Sequence, residues 1–274
     1  MKFIRPFDPA ENFDTGYPGY RAQVLSHIES AMMLASHVDG GGRGPNLHYH
    51  RSDQIYFVRR GRTNVRLGDD VHVVGPGTFV FIPAGLPHCN WNDGPETETH
   101  FEIIVPSPVP GDQITYPLES VADVPAEDRS ERRGFTKSVT GVAMSEPLEG
   151  FRMASLATAA DASRHMFVSY IEVDPGKGGP DLHIHAVDQY YLVLEGELTV
   201  DIALQRHIAR PDSLVVIPAG VPHRLRNLGD GPEKHLAMLS PLPVDGRPWD
   251  VCVTFEPTGV TYDPPDLAGR RTDG

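Results

Sequence analysis

PNLHYHRSDQIYFVRRG (residues 45–61) and PDLHIHAVDQYYLVLEG (residues 180–196) are two copies of one pattern in the same chain. Downstream of each copy comes a second shared segment, FIPAGLPHCNWN (residues 81–92) and VIPAGVPHRLRN (residues 216–227). His48 and His183 lie 135 positions apart (183 − 48). The same offset relates His50 to His185, Gln54 to Gln189, Pro83 to Pro218, His88 to His223, Asn92 to Asn227 and His100 to His235. No insertion or deletion separates the copies over this span, so the chain is an internal duplication. Each copy then has the ordinary size of a domain. The polar stretch 119–134 (ESVADVPAEDRSERRG) reads as a linker or a solvated crossing between strands. On this reading the N-terminal domain is 1–130 and the C-terminal domain 131–274.

Within a copy the pattern is that of strands. Gln54–Val58 and Gln189–Leu194 are aromatic and β-branched, and are closed by Gly61 and Gly196. Residues 64–67 and 198–202 follow as returning strands, then 72–74, then 78–82 and 213–217, which end at Pro-Ala-Gly turns. Residues 32–38 and 167–173 precede the histidine pairs. No long segment has a helical period. Short strands with frequent glycine and proline between them (27 and 26 residues) predict an all-β protein of two tandem antiparallel barrels or jelly rolls.

His-x-His on a strand puts both imidazoles on one face, because side chains alternate with period two. His48 with His50, and His183 with His185, are such pairs. His88 and His223 sit just past a Pro-Ala-Gly turn. Gln54 and Gln189 open the strand after each pair. Three imidazoles and one amide could therefore converge inside each barrel. A lone histidine is usually an ordinary core or surface residue, but the same set recurs here at identical spacing. The candidate metal ligands are His48, His50, Gln54 and His88 in the first copy, and His183, His185, Gln189 and His223 in the second. Imidazole suits divalent transition metals.

These residues resemble the two signature motifs of the cupin superfamily. In the first, G-x5-H-x-H-x3-E-x6-G, the matching residues are Gly42, His48, His50 and Gly61, with Gln54 at the glutamate position. In the second copy His183, His185 and Gly196 match, with Lys177 at the first glycine and Gln189 at the glutamate. The second motif, G-x5-P-x-G-x2-H-x3-N, is matched by Gly77, Pro83, Gly85, His88 and Asn92. Pro218, Gly220, His223 and Asn227 match it again, with Asp212 at the first glycine. The gap between motifs is residues 62–76 in one copy and 197–211 in the other. The resemblance implies a bicupin with a metal in each barrel. Its likeness to the quercetinase-like bicupin dioxygenases implies a metal-dependent dioxygenase, with Fe(II) the expected ion and Ni, Mn, Co, Cu and Zn left open. The substrate would be a small phenolic, enolic or diketone-like compound, anionic or aromatic, with O2 as partner. A metal-dependent isomerase, cyclase or lyase without redox chemistry, and a non-catalytic small-molecule-binding bicupin, are the alternatives.

Replacing glutamate by glutamine removes one negative charge from the set. A neutral site leaves a divalent ion its full charge and favours an anionic ligand. The opposing reading is that the glutamine only hydrogen-bonds and three histidines hold the ion. Tyr56 and Tyr191, two residues after each glutamine, share its inward face and are the candidate catalytic donors to a substrate, against the reading of barrel-core aromatics whose hydroxyls are satisfied within the protein. Asn92 and Asn227 read as turn residues, and Asp53 and Asp188 as caps of the turn after the histidines. His72, His207, His100 and His235 read as exposed strand positions, with a place behind the ligands as the alternative for either pair. Arg51, Arg59, Arg60, Arg62 and Arg66 occur only in the first copy; most are expected in solvent, with an inward Arg66 as the alternative.

The net charge of −13 excludes nucleic acid as the natural partner, since neutralising phosphates requires a basic face. No apolar run reaches membrane-spanning length, and the N-terminal MKFIRPFDPAENF is not a signal peptide, so a cytoplasmic protein is expected. The two cysteines, Cys89 and Cys252, are expected to be reduced. Self-association is compatible with all of this. The tail PPDLAGRRTDG (residues 264–274) reads as disordered.

Overall fold

The computed structural model of the chain describes residues 2–244 and 246–254. The PPDLAGRRTDG tail lies outside these residues. The strands expected around the motifs form: Asp53–Arg60, Thr63–Leu67, Asp70–Val74 and Thr78–Ile82 in the first half, and Asp188–Glu195, Leu198–Ile202 and Ser213–Ile217 in the second. So do Ala31–Val38 and Phe167–Val173. Every helical element described is a single 3-10 turn, and no described helix is long and apolar enough to cross a membrane.

Each half is built from a seven-stranded and a five-stranded antiparallel sheet. The first large sheet runs Phe135–Ser138, Thr78–Ile82, Asp53–Arg60, Glu98–Val105, Ala31–Val38, Tyr20–Ile28, Phe13–Asp14. Its small partner sheet runs Tyr116–Pro117, His48–Tyr49, His88–Trp91, Thr63–Leu67, Asp70–Val74. The second half repeats this order, ending with Val251–Cys252 beside His183–Ile184. In the small sheet one face is solvated, and Thr63–Leu67 shows clean alternation, with Thr63, Val65 and Leu67 buried. Arg66 therefore points away from the barrel interior, where its guanidinium meets the Gly68 carbonyl and Asp69; the inward alternative is overturned.

The central strands of the large sheets are buried on both faces, which is why they read as unbroken apolar runs. Tyr56 and Val58 point into the first barrel, while Ile55 and Phe57 point out of it. The outward residues of both large sheets form the largest apolar core: Phe57, Phe79, Phe81 and Phe101 from one half, and Leu156, Met166, Tyr190 and Leu192 from the other. The two barrels thus lie back to back and share a core.

Strands are also exchanged. Ile4–Pro6, at the start of the chain, pairs with Ser213–Ile217 of the second barrel. Phe135–Ser138 pairs with Thr78–Ile82 of the first. The sheets therefore cross the 130/131 division of the sequence in both directions. The stretch 119–134 is not simply a solvated loop. Arg132 runs back to the fully buried carboxylate of Asp53 (2.6 Å) and to the Ala162 carbonyl (3.1 Å). Asp128 accepts from Tyr49 and Arg51. Its carbonyl fills the space that a Cβ on Gly85 would need, and Gly85 also has φ +79°, so this turn requires glycine twice over. At the position of Gly77 (φ +77°) the second copy has Asp212 with φ +61°. Asp is among the residues that tolerate this conformation, and its carboxylate binds Arg59 at 2.8 Å and Arg60 at 3.2 Å across the domain junction.

Candidate metal centres

Both histidine sets converge. His48, His50 and His88, and separately His183, His185 and His223, are buried and place one ring nitrogen each within 4.8 Å of the others. Antiparallel pairing does this: His48 lies opposite His88, and His183 opposite His223, across adjacent strands of the small sheets. In every ring Nδ1 faces a main-chain carbonyl. In the first centre these are Asn46, Ile114 and Leu86, at 2.7, 2.7 and 2.8 Å. In the second they are Asp181, Trp249 and Val221, at 2.6, 2.8 and 2.8 Å. A carbonyl only accepts, so Nδ1 carries the hydrogen and Nε2 presents a lone pair to the centre. Burial holds His48 and His223 down at about 3, so they are neutral ligands with no proton to displace near neutrality.

The second centre has a fourth atom. Gln189 Oε1 lies 3.0 Å from His185 Nε2 and in contact with His223 Nε2, and His183 Nε2 is 3.2 Å from His185 Nε2. Tyr191 Oη donates to the same Oε1 at 2.9 Å. Three imidazole lone pairs and a carbonyl-type oxygen facing one another have no hydrogen to share. A cation reconciles them, so the residues fit a divalent metal. In the first centre the Nε2 atoms of His50 and His88 are buried without a partner, which makes the same demand.

Gln54 is turned differently. Its Nε2 donates to Glu102 Oε1 at 2.6 Å, and its Oε1 accepts from Tyr56 at 3.2 Å. Glu102 also accepts from Tyr20 (3.1 Å) and Ser36 (3.2 Å). The first barrel therefore has a carboxylate on its glutamine, and Gln54 here makes hydrogen bonds, as the opposing reading of the glutamine has it. At the position equivalent to Glu102 the second barrel has Ala237. Both tyrosines face inward as expected, and burial pushes both phenols up, so they are donors and not bases. Each hydroxyl is used on its glutamine.

The cavities differ accordingly. In the second barrel a cavity of about 460 Å³ opens onto His183, His185 and Gln189, between Phe151, Met153, Phe167, Ile171, Leu239 and Trp249. Among the described residues no lysine or arginine lines it, and the one acidic residue that does, Asp250, faces His185 Nδ1 at 3.2 Å. The cavity reaching His50 in the first barrel is about 210 Å³ and is lined by residues of the mouth, among them Arg51, Asp112 and Tyr116.

Several expectations change. His100 and His235 are fully buried and paired with Glu98 and Glu233 at 2.9 and 2.8 Å. Burial pulls His100 down, but the Glu98 carboxylate overrides this and raises it. Asp53 and Asp188 hold the Pro-Ala-Gly turns through the amides of Ala84 and Ala219 rather than capping their own turn. Asn92 and Asn227 are turn residues, each accepting from a glycine amide two residues on and donating to two carbonyls. His72 and His207 are half-buried, and both cysteines are free. Glu102, Trp249 and Asp250 were missed. The offset of 135 signals Glu102, as a carboxylate where the other copy has alanine, and pairs Trp249 with Ile114.

The Cupin domain profile matches residues 35–105 and 169–238, about half of the chain. The chain belongs to the cupin family, and its two matched segments make it a bicupin. No curated protein matches it. Among solved structures, a protein from Pseudomonas aeruginosa designated glyoxylate-induced is 17% identical with a TM-score of 0.69, over 86% of this chain and 88% of that one. Oxalate decarboxylase from Bacillus subtilis at pH 4.6 is 15% identical with a TM-score of 0.66, over 87% and 76%. A structure of the same enzyme directed at its Mn(II) centres is 15% identical with a TM-score of 0.67, over 92% and 79%. At these identities the likeness is one of fold.

Proposed function

We propose that this bicupin is a metal-dependent dioxygenase of a small enolic, phenolic or diketone-like compound, and that the C-terminal barrel is where the substrate binds. The observation that carries this reading is the combination of a neutral His3Gln set with an apolar cavity of about 460 Å³. Such a cavity takes an organic body of drug-fragment size, and a divalent ion held by His183, His185, Gln189 and His223 would favour one anionic oxygen function on it. A two-carbon dianion such as oxalate suits it poorly, because no cationic side chain lines the wall among the described residues.

A divalent ion held by these four atoms supplies Lewis acidity toward the substrate oxygen and, if it is iron, the one-electron chemistry by which a closed-shell anion reacts with O2. The residues do the rest. Gln189 is fixed by Tyr191, and His185 by the Trp249 carbonyl, so the donor set is preorganised. Phe151, Phe167 and Trp249 hold the apolar body and exclude water. Among the described residues the only carboxylate lining the cavity is Asp250, which is engaged with His185, whereas a proton-shuttling isomerase would need a free buried base; a substrate bound as its anion needs none. O2 is the oxidant and both its atoms enter the products, so no external reductant is required.

The test is an oxygen electrode with anaerobically Fe(II)-loaded protein and a panel of phenols, enols and β-diketones. Oxygen uptake in one-to-one ratio with substrate loss is expected. Substrate conversion without oxygen uptake would replace this reading with the non-redox one.

A further inference from the structure

Glu102 lies on the strand Glu98–Val105, in register with Tyr56 of the neighbouring strand, and Ile104 is in register with Gln54. His100, Glu102 and Ile104 alternate toward the barrel interior, while Phe101, Ile103 and Val105 join the core between the barrels. The three partners of the Glu102 carboxylate, Gln54, Tyr20 and Ser36, are neutral donors. Glu102 is half-buried, and among the described residues no lysine or arginine pairs with it, so a positive charge placed nearby is favoured. That charge is within reach: the Gln54 amide that Glu102 holds is the side chain at the fourth ligand position of the first centre.

The second barrel lacks this arrangement as a set. Ala237 stands for Glu102 and Ile171 for Ser36, each at the 135 offset, and Phe151 takes the place of Tyr20, both lying opposite the matching valines Val173 and Val38. The carboxylate and its two hydroxyl donors are all replaced by apolar residues that line the large cavity.

We infer that Glu102 supplies from the adjacent strand the negative charge that Gln54 withholds, making the N-terminal centre a carboxylate-supported site that retains its ion, whereas in the C-terminal centre the amide Gln189 has no such partner among the described residues and the carboxylate lining the cavity is the exposed Asp250 behind His185. The charge acts through the amide. An N–H donating to a carboxylate makes its own carbonyl oxygen more basic, so Gln54 Oε1 becomes a better donor to a cation. Glu102 is a positioning residue. The inference deepens the division of labour proposed above, but it is read out by metal affinity and not by turnover, so either can fail without the other.

The experiment is Mn(II) titration of metal-free protein, following the free ion by electron paramagnetic resonance. His183→Ala isolates the first centre and His48→Ala the second. In the His183→Ala background, Glu102→Gln should weaken Mn(II) binding about 10–100-fold, the range for changing a residue that supports a ligand. Glu102→Asp should keep most of the affinity, and Glu102→Gln in the His48→Ala background should change nothing. Affinity of the first centre unchanged by Glu102→Gln would overturn the inference. If Glu102→Gln does not fold, a second comparison decides. Gln189→Glu should tighten Mn(II) in the second centre, whereas Gln54→Glu, which sets a carboxylate against Glu102, should not do so in the first. Equal tightening by both would show that Glu102 contributes no charge.

Discussion

At the scale of single residues, the two glutamines occupy the same sequence position and do different things because of what faces them. Gln189 meets imidazoles and Tyr191; Gln54 meets a carboxylate. Gln189→Glu is nearly isosteric, so packing should survive. It halves the net charge an anionic substrate meets at a divalent ion. One unit charge at bonding distance exceeds about 1 kcal/mol even when well screened, so KM should rise at least several-fold in steady-state assays while the metal is held more tightly. An unchanged KM would place the substrate elsewhere. Arg132 illustrates a residue with a purely structural task. Its guanidinium is the charge partner of the fully buried Asp53 carboxylate. Arg132→Met leaves that carboxylate uncompensated and should cost about 3–5 kcal/mol in chemical denaturation. The two histidine clusters were legible in the sequence because period two and a shared spacing leave the imidazoles only one face. Glu102 was signalled only as a difference between the copies, Ala237 standing at its offset, and its contact with Gln54 is not written in the strand that carries it.

At the scale of elements, the segment carrying Trp249 and the strand Val251–Cys252 closes the second barrel. Val251–Cys252 pairs with His183–Ile184, the Trp249 carbonyl orients His185, and the Trp249 ring packs edge-on against Phe167 at 4.9 Å while lining the cavity. One short stretch therefore supports a ligand with its backbone and shapes the pocket with a side chain. Trp249→Ala removes only the latter. We expect bound metal to be retained, and KM for an aromatic substrate to rise about tenfold, the size expected for losing an apolar wall. Loss of the metal would mean that the backbone carbonyl does not act independently of the ring. Such segments were invisible to sequence reading: two-residue strands have no periodicity, and their position is set by pairing with distant residues. The strands around the motifs were legible for the opposite reason, being bounded by Pro-Ala-Gly turns and rich in β-branched and aromatic residues. Tyr20–Ile28 and Phe151–Ala157 escaped because they flank the repeat and mix buried and exposed positions irregularly.

At the scale of the whole molecule, the duplication announces two domains, but the structure joins them. The main apolar core lies between the barrels, and each large sheet takes an edge strand from beyond the central division of the chain. Leu156 and Met166 are fully buried in that junction. Leu156→Ala should therefore cost about 2–5 kcal/mol and lower the melting of both barrels together, in a single calorimetric transition. Separately expressed halves 1–130 and 131–274 should aggregate, since each would expose its half of the shared core. Two independent transitions, or soluble folded halves, would contradict this. The sequence predicted the copies and could not predict their union, because outward aromatic residues such as Phe57 and Tyr190 look the same whether they face a barrel interior or a neighbouring barrel. The shared frame lets two similar centres diverge: a carboxylate-supported one in the first barrel, a neutral one beneath an apolar cavity in the second. The most direct test of that claim is oxygen uptake with the best compound of the panel in the two single-centre variants, each loaded anaerobically with Fe(II). His183→Ala, which dismantles the second centre, should abolish uptake, while His48→Ala should leave a substantial rate. Activity that survives His183→Ala and disappears with His48→Ala would contradict the account.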